Sequence, residues 1–126
     1  MKATELRIGN YINYSKENVI VTIGDLAVLQ QRENDKLATP YEPIPLTEEW
    51  LLKFGFKQQN EFYVISDDLS HYVELLNVRD EWYPWIIELP ELSHESEQKV
   101  CIPYIQYVHQ LQNLYFALTG EELKAD

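Results

Sequence analysis

The residues of this 126-residue chain best suited to chemistry are three histidines, an arginine beside an aromatic run, and a row of side-chain amides. An enzyme needs a nucleophile with its base, paired carboxylates or a metal. His71 and Glu74 stand three apart in a segment that reads as a strand, where only residues two apart share a face. His94, within Ser93-His94-Glu95-Ser96-Glu97, reads as a loop residue among solvated neighbours. The spacing His-x-x-x-His is absent, and so are the phosphate-loop, dinucleotide and nucleophile-elbow glycine patterns. Cys101 is the only cysteine, which leaves neither an intrachain disulfide nor a cysteine zinc site. The expectation is no catalytic residue, no metal and no cofactor.

Two clusters remain as candidate ligand-binding residues. In Asp80-Glu81-Trp82-Tyr83-Pro84-Trp85, three large aromatics surround a proline. Trp82, Tyr83 and Trp85 can build a stacking surface for a flat ligand, with Arg79 as a bidentate phosphate donor. The same tryptophans can instead fill the core of a small sheet. His109, Gln110, Gln112 and Asn113 form one short polar arc if their segment is a helix. From that arc His109, Gln112 and Asn113 are the candidates, because amides and imidazole can read a base edge or a sugar hydroxyl. A solvated helix back would look similar, but residues 105–120 hold no charged side chain. That absence implies a helix covered on more than one side, by a sheet, a ligand or a second subunit.

The elements that must position these residues can be read from pattern. Residues 1–31 read as a β-meander: Tyr11-Ile12-Asn13-Tyr14, then β-branched Val19-Ile20-Val21-Thr22-Ile23, then residues 26–30 as a third strand, with helix the competitor over 25–32. Such short, closely spaced strands suggest a curled sheet or part of an SH3-like barrel. Residues 41–56 read as an extended, proline-held segment followed by a short helix. Thr47 is its N-cap, Glu48 and Glu49 lie in its first turn, and Gly55 stands where such a helix ends. An acidic β region covers 61–102, with strands at 61–65, 72–78 and 85–89 (the last after a break at Pro84), a loop at 90–98 and a final strand at 99–102. In the helix expected over 104–119, Val108, Leu111, Tyr115 and Leu118 recur with the helical period. The fold class expected is α+β: one domain over 1–126, with a small, mostly antiparallel sheet, a short middle helix and a C-terminal helix.

Composition narrows the function classes. Hydrophobic residues make up 45% and charged residues 25%, as in ordinary globular chains. No membrane-length apolar run occurs, and Met1-Lys2-Ala3-Thr4-Glu5 has no apolar signal core, so a cytoplasmic protein without a membrane partner is expected. The net charge is −11. Residues 67–97 alone hold nine acidic groups against Arg79. A duplex nucleic acid needs clustered cations and is not an expected partner. A solubilising surface accounts for the acid, as does a face that docks on a basic host protein.

Three stretches carry a resemblance: Glu5-Leu6-Arg7-Ile8-Gly9-Asn10-Tyr11, Tyr41-Glu42-Pro43-Ile44-Pro45-Leu46-Thr47-Glu48-Glu49-Trp50-Leu51-Leu52-Lys53-Phe54-Gly55-Phe56, and Tyr107-Val108-His109-Gln110-Leu111-Gln112-Asn113-Leu114-Tyr115-Phe116-Ala117-Leu118-Thr119-Gly120-Glu121-Glu122-Leu123. They resemble a family of small uncharacterised proteins from phages, prophages and mobile elements of Bacteroides-like bacteria, and cover 40 of the 126 residues. The resemblance implies a phage accessory protein in the cytoplasm of a bacterial host, and supplies no catalytic or binding residues. The leading expectation is a non-enzymatic anti-defence protein that sequesters a small nucleotide immune signal. The alternatives are an acidic inhibitor of a host protein and a nucleotide phosphodiesterase. A homodimer or higher oligomer is also expected, paired through the C-terminal helix, with Phe116 buried and Gln112 and Asn113 bonded across the axis; the competing account has residues 1–30 wrap the helix within one chain and satisfy the same groups.

Overall fold

The computed structural model describes residues 1–66, 71–79, 81–88, 98–101 and 104–125. Most of the loop expected over 90–98, His94 included, lies outside these residues. The fold is α+β, with two open antiparallel sheets and three α-helices among the described residues. Contacts divide the chain into two compact units, residues 1–45 with 107–114 and residues 46–106 with 115–126.

In the first unit, β1 (Tyr11–Tyr14) and β2 (Glu17–Ile20) form a hairpin, and β3 (Tyr41–Glu42) pairs on the other side of β1. Ser15 and Lys16 take φ of 47° and 72°, the left-handed pair that a two-residue hairpin turn requires. The expected third strand over 26–30 is instead part of a helix, α1 (Ile23–Asn34). Its start is a capping box: the Thr22 hydroxyl accepts the Asp25 N–H at 3.3 Å, and the Asp25 carboxylate accepts the Thr22 N–H at 2.9 Å. The Tyr41 hydroxyl donates to the same carboxylate at 2.6 Å. Burial raises the Asp25 pKa, but the bonds from Tyr41 and Thr22 outweigh it and hold the carboxyl below its usual value. The Tyr41 phenol is pushed up to about 12, first by burial and then by its bond to Asp25. Leu6, Ile12, Val21, Leu29 and Tyr41 form one buried cluster.

In the second unit, α2 (Glu48–Lys53) begins at Thr47, whose hydroxyl accepts the Trp50 N–H at 3.4 Å. It ends in a Schellman motif, with the N–H of Phe56 on the carbonyl of Leu51 and that of Gly55 on Leu52. Gly55 has φ of +96°, which only glycine adopts without strain. Strands β4 (Lys57–Gln59), β5 (Phe62–Ser66), β6 (His71–Val78), β7 (Glu81–Glu88) and β8 (Gln98–Cys101) follow as a meander whose spatial order is the order of the chain. Neither sheet closes into a barrel among the described residues.

The expected break at Pro84 does not occur, because β7 runs straight through it. The carbonyl of Trp82 accepts the Ile105 N–H at 2.7 Å on the flank facing away from β6. Backbone groups two residues apart point the same way, so the missing N–H of Pro84 also falls on that flank. Pairing with β6 is intact there, with Pro84 opposite Leu75, and the described pairs with β8 run from Trp85 to Glu88.

The C-terminal helix, α3 (Val108–Thr119), has Val108, Leu111 and Tyr115 buried, as their spacing predicts. Part of its polar arc is covered too, with His109 3% and Gln112 0% exposed, while Asn113 is half-buried and Gln110 exposed. The cover is the chain's own segment 5–11. Gln112 accepts the Tyr11 N–H at 2.8 Å and donates to the Gly9 carbonyl at 3.2 Å. Asn113 accepts from the buried Asn10 amide at 2.9 Å and donates to the Glu5 carbonyl at 3.1 Å. The Arg7 guanidinium reaches the Gln112 carbonyl at 3.3 Å. Gly9, at φ +98°, makes the turn that presents its carbonyl. The bonds expected of Gln112 and Asn113 across a dimer axis are therefore made within one chain.

Candidate functional site

The amino end of α3 carries the candidate site. A β-bridge joins Pro45 to Tyr107, and the Ile44 carbonyl accepts the Val108 N–H at 2.9 Å, which fixes where the helix begins. Gln110 returns its side-chain carbonyl to the Tyr107 N–H at 3.1 Å, half of a capping box. These contacts set the first turn of α3 against residues 1–5 and 43–45. Between them lies a cavity of about 460 Å³ lined by Met1, Glu5, Pro43, Tyr107, His109 and Gln110. Each of the three stretches that carry the sequence resemblance contributes to this wall.

His109 is the chemically unusual member. Its imidazole lies nearly parallel to the Tyr107 ring, at 7° and 5.9 Å between centroids. Its Nδ1 is buried without a hydrogen-bond partner. A buried polar atom left unpaired is costly and uncommon. Burial lowers the His109 pKa below its ordinary 6.5; the Glu5 carboxylate pulls it back up and the Met1 amino group pushes it down, with burial the largest effect. The ring is therefore neutral at pH 7, able to carry its proton on either nitrogen and so to donate or accept at Nδ1. Glu5 is the only charged side chain among the six, and one of its oxygens accepts the Lys2 N–H at 3.3 Å. The wall thus offers a stacked aromatic pair, an adaptable imidazole, an amide and one carboxylate.

A stability prediction follows from the sign of the His109 shift. As pH falls through about 6.5, the unfolded chain takes up a proton that the folded imidazole resists, so stability is fully present above that value and is lost below it. The loss levels off only where the folded ring itself protonates. Melting curves at pH 7.5 and 5.5 are expected to show a smaller acid-induced drop for His109→Phe than for the natural chain.

Of the other expected site residues, Gln112 and Asn113 have their amides bonded to segment 5–11. Trp82 is buried, its indole Nε1 donates to the Leu46 carbonyl at 2.9 Å, and its ring meets Tyr63 edge-on at 5.4 Å. The Tyr83 hydroxyl donates to Glu81 at 2.6 Å and its ring lies 5.9 Å from Tyr104. Arg79 is exposed at the β6–β7 turn with φ of 54°. Trp85 stands in β7 opposite Glu74, and its side chain lies outside the described ones. Of the expected residues whose side chains are described, His109 alone lines the cavity. Glu5, Pro43, Tyr107 and Gln110 were not among those expected. Gln110 had a legible signal, because a glutamine three residues after a helix-starting position is a capping pattern.

A second, smaller cavity of about 270 Å³ lies in the other unit, lined by Gly55, Lys57, Gln59, Val64 and Ile65. Among the described residues no group of three or more histidine, cysteine or acidic side chains is placed to hold a metal ion, and no helix is long and apolar enough to cross a membrane. Comparison with protein-family models, curated proteins and solved structures finds no match.

Proposed function

We propose that this chain is a non-enzymatic binding protein that sequesters a small nucleotide by its base, in the cavity at the amino end of α3. The observation that carries this reading is an open cavity of nucleoside size walled by the nearly parallel Tyr107 and His109 rings. A bound heteroaromatic ring would lie against the Tyr107–His109 pair. About 460 Å³ falls within the range of small-molecule pockets, roughly 300–1,000 Å³, and suits one nucleoside-sized ligand. No lysine or arginine lines the wall, so the base enters and the phosphate stays at the mouth, in water. In a phage setting, which the resemblance of the three stretches supports, such binding withdraws a nucleotide signal from a bacterial host's cytoplasm.

Thermal melting with nucleosides, mononucleotides, cyclic oligonucleotides and ADP-ribose derivatives tests this. A ligand at a hundredfold excess over its Kd stabilises by about 2.7 kcal/mol, which is a shift of several degrees. The expected result is a shift with at least one member, recovery of that ligand intact by chromatography, and loss of the shift in His109→Phe. No shift with any member overturns the proposal. A ligand returned cleaved replaces it with the phosphodiesterase reading.

A further inference from the structure

We propose that the less buried face of the five-stranded sheet docks a basic partner protein, one that presents arginine beside an apolar strip. The strand register separates two apolar faces. Tyr63, Leu75 and Pro84 stand side by side on one, and all three are buried. One position along each strand, Phe62, Leu76 and Tyr83 stand side by side on the other and are only half-buried. The bridge of Ile105 to Trp82 extends this row to Tyr104, which is exposed and whose ring lies 5.9 Å from that of Tyr83. Neighbouring strands run about 4.8 Å apart, so the row makes a strip about 15 Å long. Val78, two positions beyond Leu76 and on the same face, is exposed as well.

Charge selects the occupant. Glu74, two before Leu76, and Glu81, two before Tyr83, place a carboxylate on each side of the strip. Lys57 stands at the β4 edge and Arg79 at the β6–β7 turn, so neither lies between the two carboxylates. A second copy on this face would set the carboxylates of two chains against each other, each chain carrying a net charge of −11. A nucleic acid or an anionic membrane is repelled in the same way. A basic partner is attracted. One Glu81 oxygen accepts the Tyr83 hydroxyl at 2.6 Å, which holds the carboxylate by the ring and leaves it lone pairs for a further donor. An arginine there can fork onto the carboxylate and lie flat on an aromatic face, which the compact ammonium of lysine cannot match.

Selection from a display library of random dodecapeptides, on the full chain at low salt, tests this. The expected result is a recovered set enriched in arginine and apolar residues. The best of them, made as a fluorescent peptide, is expected to lose about tenfold or more in affinity at physiological salt. The double variant Val78→Ser with Tyr104→Ser is expected to bind it about tenfold more weakly. Both positions are exposed, so that variant is expected to melt with the natural chain. Glu81→Gln keeps an acceptor for Tyr83 but loses the charge, and is expected to cost about fivefold. Glu33→Gln removes the same charge from the exposed side of α1 and is expected to bind as the natural chain does. Peptides without arginine enrichment overturn the proposal, and so does full binding by the double variant. An equal loss in Glu33→Gln and Glu81→Gln reduces the binding to attraction by net charge and overturns the face. Self-association abolished by the double variant gives the face to a second copy instead.

Discussion

Replacing Gln112 with leucine is expected to lower the unfolding free energy by about 2–3 kcal/mol, although the two side chains are similar in size. The Gln112 amide closes on two backbone groups at once, the Tyr11 N–H and the Gly9 carbonyl, and is itself wholly buried. Leucine leaves both backbone groups without a partner, and each orphaned group costs about 1–3 kcal/mol. Water reaches part of this region, which places the expected sum toward the lower end. For a chain of this length 1 kcal/mol moves Tm by roughly 4 °C, so the variant should melt about 8–12 °C lower. A loss under about 0.5 kcal/mol in urea unfolding would show that water replaces the amide and that the clamp is not structural. Gln112→Glu keeps the acceptor for Tyr11 but loses the donor to Gly9 and buries a charge, so it is expected to be no more stable than the leucine variant.

Trp82→Ala is expected to cost about 3–5 kcal/mol, the range for removing a buried large aromatic. Trp82→Phe separates the contributions. It retains a ring near Tyr63 but leaves the Leu46 carbonyl without the indole N–H, for a cost of about 1–2 kcal/mol. Equilibrium urea unfolding followed by far-ultraviolet circular dichroism measures both. The pair also discriminates a core tryptophan from a ligand platform. A platform would lose binding with stability unchanged, whereas the contacts of Trp82 require the reverse.

Much of the fold could be read from local chemistry. The short helix α2 was legible from Thr47 and Gly55 because both of its ends are fixed by neighbours in sequence. The strands of the acidic region were legible as β-branched and aromatic runs. Residues 26–30 were misread as a strand, although Thr22 and Asp25 carry the spacing of a helix start. There Gly24 and Asp25 look like turn residues, and α1 buries only Leu29, so the apolar pattern that marks a helix is thin. Pro84 was misread because sequence shows that an N–H is missing but not which flank of the strand it would have faced.

The site was less legible than the fold. The absence of charge over 105–120 implied a helix covered on more than one side; His109 and Gln112 are covered, while Gln110 and Phe116 are exposed. What covers Gln112 is segment 5–11, about a hundred positions away, and no local pattern encodes that pairing. Glu5 and Pro43 reach the cavity for the same reason. Their types are ordinary, and only the chain's long-range path gives them a shared wall.

The clamp between segment 5–11 and α3 also dictates an order of assembly on the ribosome. Its hydrogen bonds join residues 101–108 positions apart, and every residue of 46–106 is synthesised before the second half of the first unit exists. The hairpin of β1 and β2 can form as it emerges. The Asn10 side-chain amide and the Gly9 carbonyl must wait for Asn113 and Gln112 to leave the exit tunnel. Closing a loop of that length costs about 4 kcal/mol in chain entropy. A stretch translated later is thus the one that locks an earlier one.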